Sequence, residues 1–208
     1  MEIQYYGANC VRLTTKKATI VVDDNLVGVG LKAITKPADI SLRTSKDFPL
    51  HKDTKFRAEA PGEYEIGAVI IHGIAARAHM DEDSKQSAVI YTVAADEVKI
   101  AVIGHIFPEL SEDQLEAIGM VDVVIVPVGG NGYTLDGVGA LHVVKQLEPK
   151  LIIPTHYADK QIKYEVPQQE LAEALKGLAM DPAETVAKIK VKPAELSDSA
   201  KLVILERQ

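Results

Sequence analysis

Cysteine is almost missing from these 208 residues. Cys10 stands alone, which excludes a disulfide framework and any metal cluster built from several thiolates. No stretch is apolar enough to cross a bilayer. The opening MEIQYYGANCVRL lacks the basic start and long apolar run of a secretory signal and reads as a strand. Positive charge is also in deficit. With a formal net charge of -7, the chain has no surplus of cations for a phosphate-binding face, which argues against a nucleic-acid partner and against attachment to anionic membranes. Linkers, low-complexity tracts and tight internal repeats are absent as well. The composition that remains, 47% apolar and 25% charged, is that of an ordinary globular protein. The expectation is one cytoplasmic domain over residues 1–208, in which a homo-oligomer is allowed but not signalled.

What is present is a change of rhythm. The first half carries short runs rich in Val and Ile, namely ATIVVDD, GAVIIHGI, SAVIYTV and VKIAVIGH, bounded by Gly, Pro or charged residues as strands are. AADE, between two of them, is the length of a hairpin turn. In the second half strands alternate with helices. SEDQLEAIG has Ser111 followed three residues later by Gln114, a capping box. VDVVIVPV and PKLIIPTHY read as buried strands, and LDGVGALHVVKQLEP as a helix. VPQQELAEALKGL predicts a helix with Pro167 near its start. AKIKVKP and KLVILE close the chain as strands. Strands first and alternation later suggest two packed sheets with helices outside.

Five segments, in order, resemble one known family: YYGANCVRL, TIVVDDN, PGEYEIGAVIIHGI (61–74), VIVPVGGNGYTLDG (124–137) and PKLIIPTHY (149–157). They are similar to the metallo-β-lactamase superfamily, closest to its group of ascorbate-phosphate lactonases and other "Zn-dependent hydrolases". The resemblance covers nearly the whole chain. It implies an α/β fold, a four-layer αββα sandwich, with the active site along one edge between the sheets. Members hydrolyse lactones, esters, amides or phosphodiesters with one or two zinc or manganese ions, which make hydroxide available near neutral pH and polarise the bond under attack.

Most of the family's metal ligands have no counterpart here. Where the family has His-x-His-x-Asp-His, this chain reads SLRTSKDFPLH, placing Ser45, Asp47, Pro49 and Leu50 at the ligand positions. A one-residue slip brings in His51 but loses Asp47. The opening Gly-His-x-Cys is Gly7-Ala8-Asn9-Cys10. The bridging aspartate is replaced in Ile103-Gly104-His105, and an imidazole offers one nitrogen per metal where the bridge needs two oxygens. His156, in Pro-Thr-His-Tyr, matches the last ligand, and His79 falls near the one that follows the PGEYE strand. The resemblance therefore leaves His79, His105 and His156, with Asp47 or Asp23 as a supporting carboxylate, as a candidate site for one zinc or manganese ion with an open position for water. His51, His72 and His142 read as surface or packing residues.

Other motifs point less far. The glycines of GGNGYTLDG suit a tight turn, with Asp136 near a helix start, and the loop lacks the lysine and spacing of a phosphate-binding loop. Glu63 and Glu65 share one face of a strand, as a structural corner, and Cys10 reads as a buried thiol. Two readings stay open. In the first, a non-catalytic descendant with a degenerate metal site, a pseudoenzyme, binds a small molecule or a protein at the former active-site edge with no cofactor. In the second, a hydrolase holds a single metal in a rebuilt three-histidine site and acts on a lactone, ester or phosphodiester. Loss of the main motif, the bridging aspartate and the opening histidine together favours the first.

Overall fold

The structure, a computed structural model, describes residues 1–197 and 199–208. Two sheets lie face to face. In the first, β13 (Ile189–Lys190), β1 (Glu2–Gly7), β2 (Cys10–Thr14), β3 (Thr19–Val22), β4 (Ile40–Leu42) and β5 (Phe56–Arg57) follow one another across the sheet. The second runs β12 (Pro182–Val186), β14 (Lys201–Leu205), β11 (Leu151–Thr155), β10 (Val123–Pro127), β9 (Val98–Val102), β8 (Ala88–Ala95), β7 (Val69–Ala76) and β6 (Gly62–Ile66). The change of rhythm in the sequence is visible in the pairing. From β6 to β9 neighbours are antiparallel, with two-residue turns between β6 and β7 and between β8 and β9 and a longer segment, 77–87, between β7 and β8; β9, β10, β11 and β14 pair in parallel. Parallel neighbours need a crossover, which is why helices appear only there.

The β8–β9 turn falls on Asp96 and Glu97, both with positive φ, the backbone of a tight hairpin whose twist matches its strands. Helix α1 (Glu112–Ile118) has the expected capping box, with Ser111 and Gln114 satisfying each other's backbone N–H groups. Helix α2 (Gly137–Leu147) is capped by the Asp136 carboxylate on Gly139 N. The last helix, α3 (Leu171–Leu178), begins later than Pro167. The backbone before it is taken up elsewhere: Gln169 N donates to Gly129 O, and Gln169 O accepts from Ala158 N. Strand β12, with exposed residues along most of its length, had no apolar pattern to announce it.

Three apolar layers result. Between the sheets Ile3, Leu13, Ile20 and Leu42 meet Ile71, Tyr91, Ile100, Ile125 and Ile153. Outside the second sheet, Ile90, Val124 and Ile152 are covered by Ile118, Val143 and Leu178 of the three helices. Strands β10 and β11 are therefore buried on both faces, as their unbroken Val and Ile runs require. The outer face of the first sheet has a thinner cover, a single 3-10 turn (Leu26–Val29) and the chain after it, packed on Cys10 and Val21. Among the described residues no helix is long and apolar enough to cross a membrane.

Candidate functional site

Parallel strands leave their C-terminal ends at one edge of the sheet, and open α/β sheets bind ligands in the crevice beyond those ends. Here β9 runs into Ile103-Gly104-His105, β10 into the GGNGYTLDG loop and β11 into His156. From the first sheet, β3 delivers Asp23, β4 leads to Thr44, and the β1–β2 turn contributes Ala8 and Asn9. Ala8, Asp23 and His156 take left-handed backbone, with φ of 47°, 54° and 57°.

A polar knot lies at the base of this edge. The Asp23 carboxylate is fully buried and accepts from Asn9 Nδ2 (2.7 Å), Thr44 N (2.6 Å) and Thr44 Oγ1 (2.6 Å). The same asparagine accepts from Thr155 Oγ1 (2.6 Å), so one side chain ties the two sheets together. Burial pushes the Asp23 carboxyl up to about 6, against the pull of its three donors, because removing a carboxylate from water outweighs them. Gly104 is dictated by this knot: a Cβ there would lie 2.3 Å from Thr44 Oγ1.

Above the knot is a stack of rings. His105 and His156 meet edge to face with centroids 4.6 Å apart. Phe48 packs edge-on against His105 at 5.3 Å, Tyr133 lies 5.1 Å from His105, and Tyr164 lies 5.0 Å from His156. His156 Nδ1 donates to Gln168 Oε1 (3.1 Å), an approach possible only because residue 129 is glycine; a Cβ there would lie 2.0 Å from that oxygen. His105 Nε2 is buried with no hydrogen-bond partner. Burial holds both imidazoles neutral: it lowers the pKa of His156 to about 4 and pushes that of His105 well below its ordinary value, with the neighbouring His156 and His79 adding to the second effect.

The stack forms one wall of a cleft of about 460 Å³, lined by Asp47, Phe48, Tyr133, His156, Tyr164 and Glu165 among others. Its volume lies in the range of small-ligand pockets, about 300–1,000 Å³.

The sequence-predicted ligands fare unequally. His105 and His156 come together. His79 is adjacent through its backbone, donating its N–H to His105 O (2.7 Å), but its ring is 6.4 Å from that of Phe107 and lines a separate cavity with His142 and Asp136. Asp47 is exposed at the cleft, its N–H bonded to Ser45 Oγ. His51 places Nε2 2.8 Å from Asp24 O. Glu63 and Glu65 face outward along the edge strand β6, and Cys10 is buried. Among the described residues no group of three or more His, Cys, Asp or Glu side chains is placed to hold a metal ion. A centre of the family's kind does not fit these donors, since the second motif position is an exposed Asp47 and the ring of Phe48 lies on the histidine in the bridging slot.

Sequence reasoning missed Asn9, Thr44, Thr155 and Gln168, which carry the polar contacts, and Phe48, Tyr133 and Tyr164, which carry the rings. None belongs to a spacing pattern with its partners. Asn9, Tyr133 and Thr155 do lie inside the segments that carry the resemblance, and Thr44 and Phe48 inside the stretch aligned to the metal motif, while Tyr164 and Gln168 lie outside them.

Residues 2–156 match the family model for the β-lactamase superfamily domain. Over 99% of this chain and 98% of the other, the structure is similar to a protein of Thermotoga maritima described as a Zn-dependent hydrolase of the metallo-β-lactamase superfamily, with a TM-score of 0.74 and 25% identity. Igni18, a metallo hydrolase of Ignicoccus hospitalis, shares the fold at 17% identity and a TM-score of 0.63, over 99% of this chain and 94% of its own. An isothiocyanate hydrolase from Delia radicum gut bacteria does so at 12% and 0.59, over 85% and 90%. No curated protein matches the sequence.

Proposed function

The chain belongs to the β-lactamase superfamily and has its two-sheet α/β fold, and from that premise we propose that it is a metal-free, non-catalytic member that binds a small molecule in the cleft at the former active-site edge. One observation carries the reading: the histidine in the bridging slot is packed among rings, with no carboxylate among the described residues converging on it. His105 and His156 lie ring against ring, with Phe48 packed on His105 and Tyr133 against both, and the Asp23 carboxylate at the base of the edge is fully buried and taken up by three donors. A zinc ion binds through a neutral nitrogen lone pair at about 2.0–2.1 Å and needs three or four such donors converging. Two imidazoles in an edge-to-face stack do not offer that.

Without a metal-activated water, hydrolysis would need another nucleophile. Cys10 is not one. Burial pushes its thiol well above the usual range, and the neighbouring Asp24 and Asp23 push the same way, so the thiolate is suppressed. What the residues do instead is shape and line a cavity. The polar knot fixes the strand ends, the rings form the wall, and Gln168 locks the orientation of His156.

The test is zinc content by elemental analysis of protein purified without chelator, followed by thermal unfolding with added zinc and manganese. The expected result is metal far below one ion per chain and no rise in the unfolding midpoint. One ion per chain, lost in His156→Ala, would overturn the proposal in favour of a single-metal hydrolase built on His105 and His156, to be assayed with lactones, esters and phosphodiesters.

A further inference from the structure

The cleft has one electrical sign. Its walls include two carboxylates, Asp47 and Glu165, and no lysine or arginine. Two of the cations nearby are engaged elsewhere: Arg43 donates to the carbonyls of Lys46 and Phe48, and Lys85 pairs with Asp81 at 3.0 Å. Lys46 and Lys163 adjoin lining residues in the chain without lining the cleft themselves. The walls also carry three aromatic rings, Phe48, Tyr133 and Tyr164, with the imidazole of His156 between the two tyrosines, 5.8 and 5.0 Å from them. Packed against Phe48, Tyr133 and His156 is His105, 7% exposed, whose Nε2 has no hydrogen-bond partner. The field inside the cleft is felt by the Tyr133 phenol, which burial and then Glu165, Asp47 and Asp23 all push above its usual range.

Resting on the binding reading above, we infer that the ligand of this cleft is a small organic cation of the alkylammonium class. Ring faces carry negative quadrupole density and attract cations within about 6 Å, most strongly where water is excluded. An alkylammonium group offers apolar methyl or methylene surface to the rings and its charge to the carboxylates. An anion would meet Asp47 and Glu165 in walls that hold no lysine or arginine. A neutral apolar ligand would leave both carboxylates partly desolvated and unpaired, which is costly. The occupant that satisfies rings and carboxylates together carries a positive charge spread over a compact, partly apolar group.

Calorimetric titration of the intact protein, in chelator, with choline and with its neutral carbon isostere dimethylbutanol tests this. The two probes share shape and hydroxyl and differ in charge. Choline is expected to bind, and the isostere to bind at least about tenfold more weakly, the ratio a desolvated cation–π contact supplies. Tyr133→Leu is expected to weaken choline about tenfold, and Tyr133→Phe, which keeps the ring, to restore it. Asp47→Asn and Glu165→Gln, at exposed side chains that leave folding intact, are each expected to weaken choline several-fold and to flatten its salt dependence. Equal binding of both probes, or no binding of choline, would overturn the cation assignment. The zinc measurement stands apart from these titrations: a metal-free protein that ignores choline loses only the ligand class, whereas stoichiometric zinc on the histidines removes the reading beneath it.

Discussion

Asp23→Asn should change how stability depends on pH more than it changes stability itself. In the native protein the Asp23 carboxyl takes up its proton near pH 6, while in the unfolded chain it waits until about 3.8. Its folded pKa is raised, so the native state binds the extra proton and becomes more stable as pH falls from 6 to 3.8; the gain is lost as pH rises through 6. At about 1.4 kcal/mol per pH unit, the ionised group costs the fold roughly 3 kcal/mol above pH 6. His156 works in the opposite direction. Its folded pKa is lowered to about 4 from 6.5, so its contribution is complete above 6.5 and is lost on acidification, again by roughly 3 kcal/mol. The two offset each other in the wild type, and His105, shifted the same way as His156, tilts the balance toward acid instability. Asparagine tolerates the left-handed backbone at position 23 but cannot titrate. Its Oδ1 still accepts from Thr44 N, while its Nδ2 requires the Asn9 amide to turn over, a rearrangement that costs about 1–2 kcal/mol at every pH. The stability of the variant minus that of the wild type, from urea unfolding at fixed ionic strength, is therefore expected to fall by roughly 3 kcal/mol between pH 7 and pH 4. A difference that stays constant across that window would refute the reasoning, since it would mean that Asp23 ionises in the fold as it does in water.

Two other substitutions probe the same edge. Gly104→Ala drives a methyl into Thr44, which is held by Asp23, so the thermal midpoint is expected to drop by an amount equivalent to about 1–3 kcal/mol. A variant as stable as the wild type would show that the knot yields easily. His105→Phe keeps a ring in the stack and removes a buried nitrogen without a partner; it is expected to leave stability unchanged or raise it by about 1 kcal/mol in chemical denaturation. A loss of more than about 2 kcal/mol would mean that this nitrogen has a partner that matters.

The fold was legible because its signals are local and repeated. Val and Ile runs mark strands buried on both faces, Ser111 with Gln114 marks a helix start, and β10 and β11 kept their unbroken apolar pattern to the end. Strand β12 escaped because its pairing is made by backbone groups while PAETV stays exposed. The site was legible in outline only. His105 and His156 were identified by position and do meet. Spacing does not encode the direction of the His79 ring, which lines the neighbouring cavity with its Nδ1 buried and unpartnered. Asn9 and Thr155 are 146 residues apart, as the hydrogen bond between them spans, and no motif joins an asparagine in one hairpin turn to a threonine at the end of a distant strand. Tyr164 comes from a loop whose path is set by Gln169 and Gly129 backbone pairing rather than by any periodicity.

The left-handed residues at the strand ends bear on how a motif match is read. At position 156 the backbone disfavours most side chains, and histidine is among the few residues other than glycine, with asparagine and aspartate, that enter this region with ease. A histidine there is held by the bend it must make and by the glutamine it meets, independently of any ion. Ala8 is bent the same way without a polar side chain that would ease it. At such bent positions the backbone itself narrows the choice of residue, so a motif match at a strand end reports the geometry of the turn as well as any chemistry it carries.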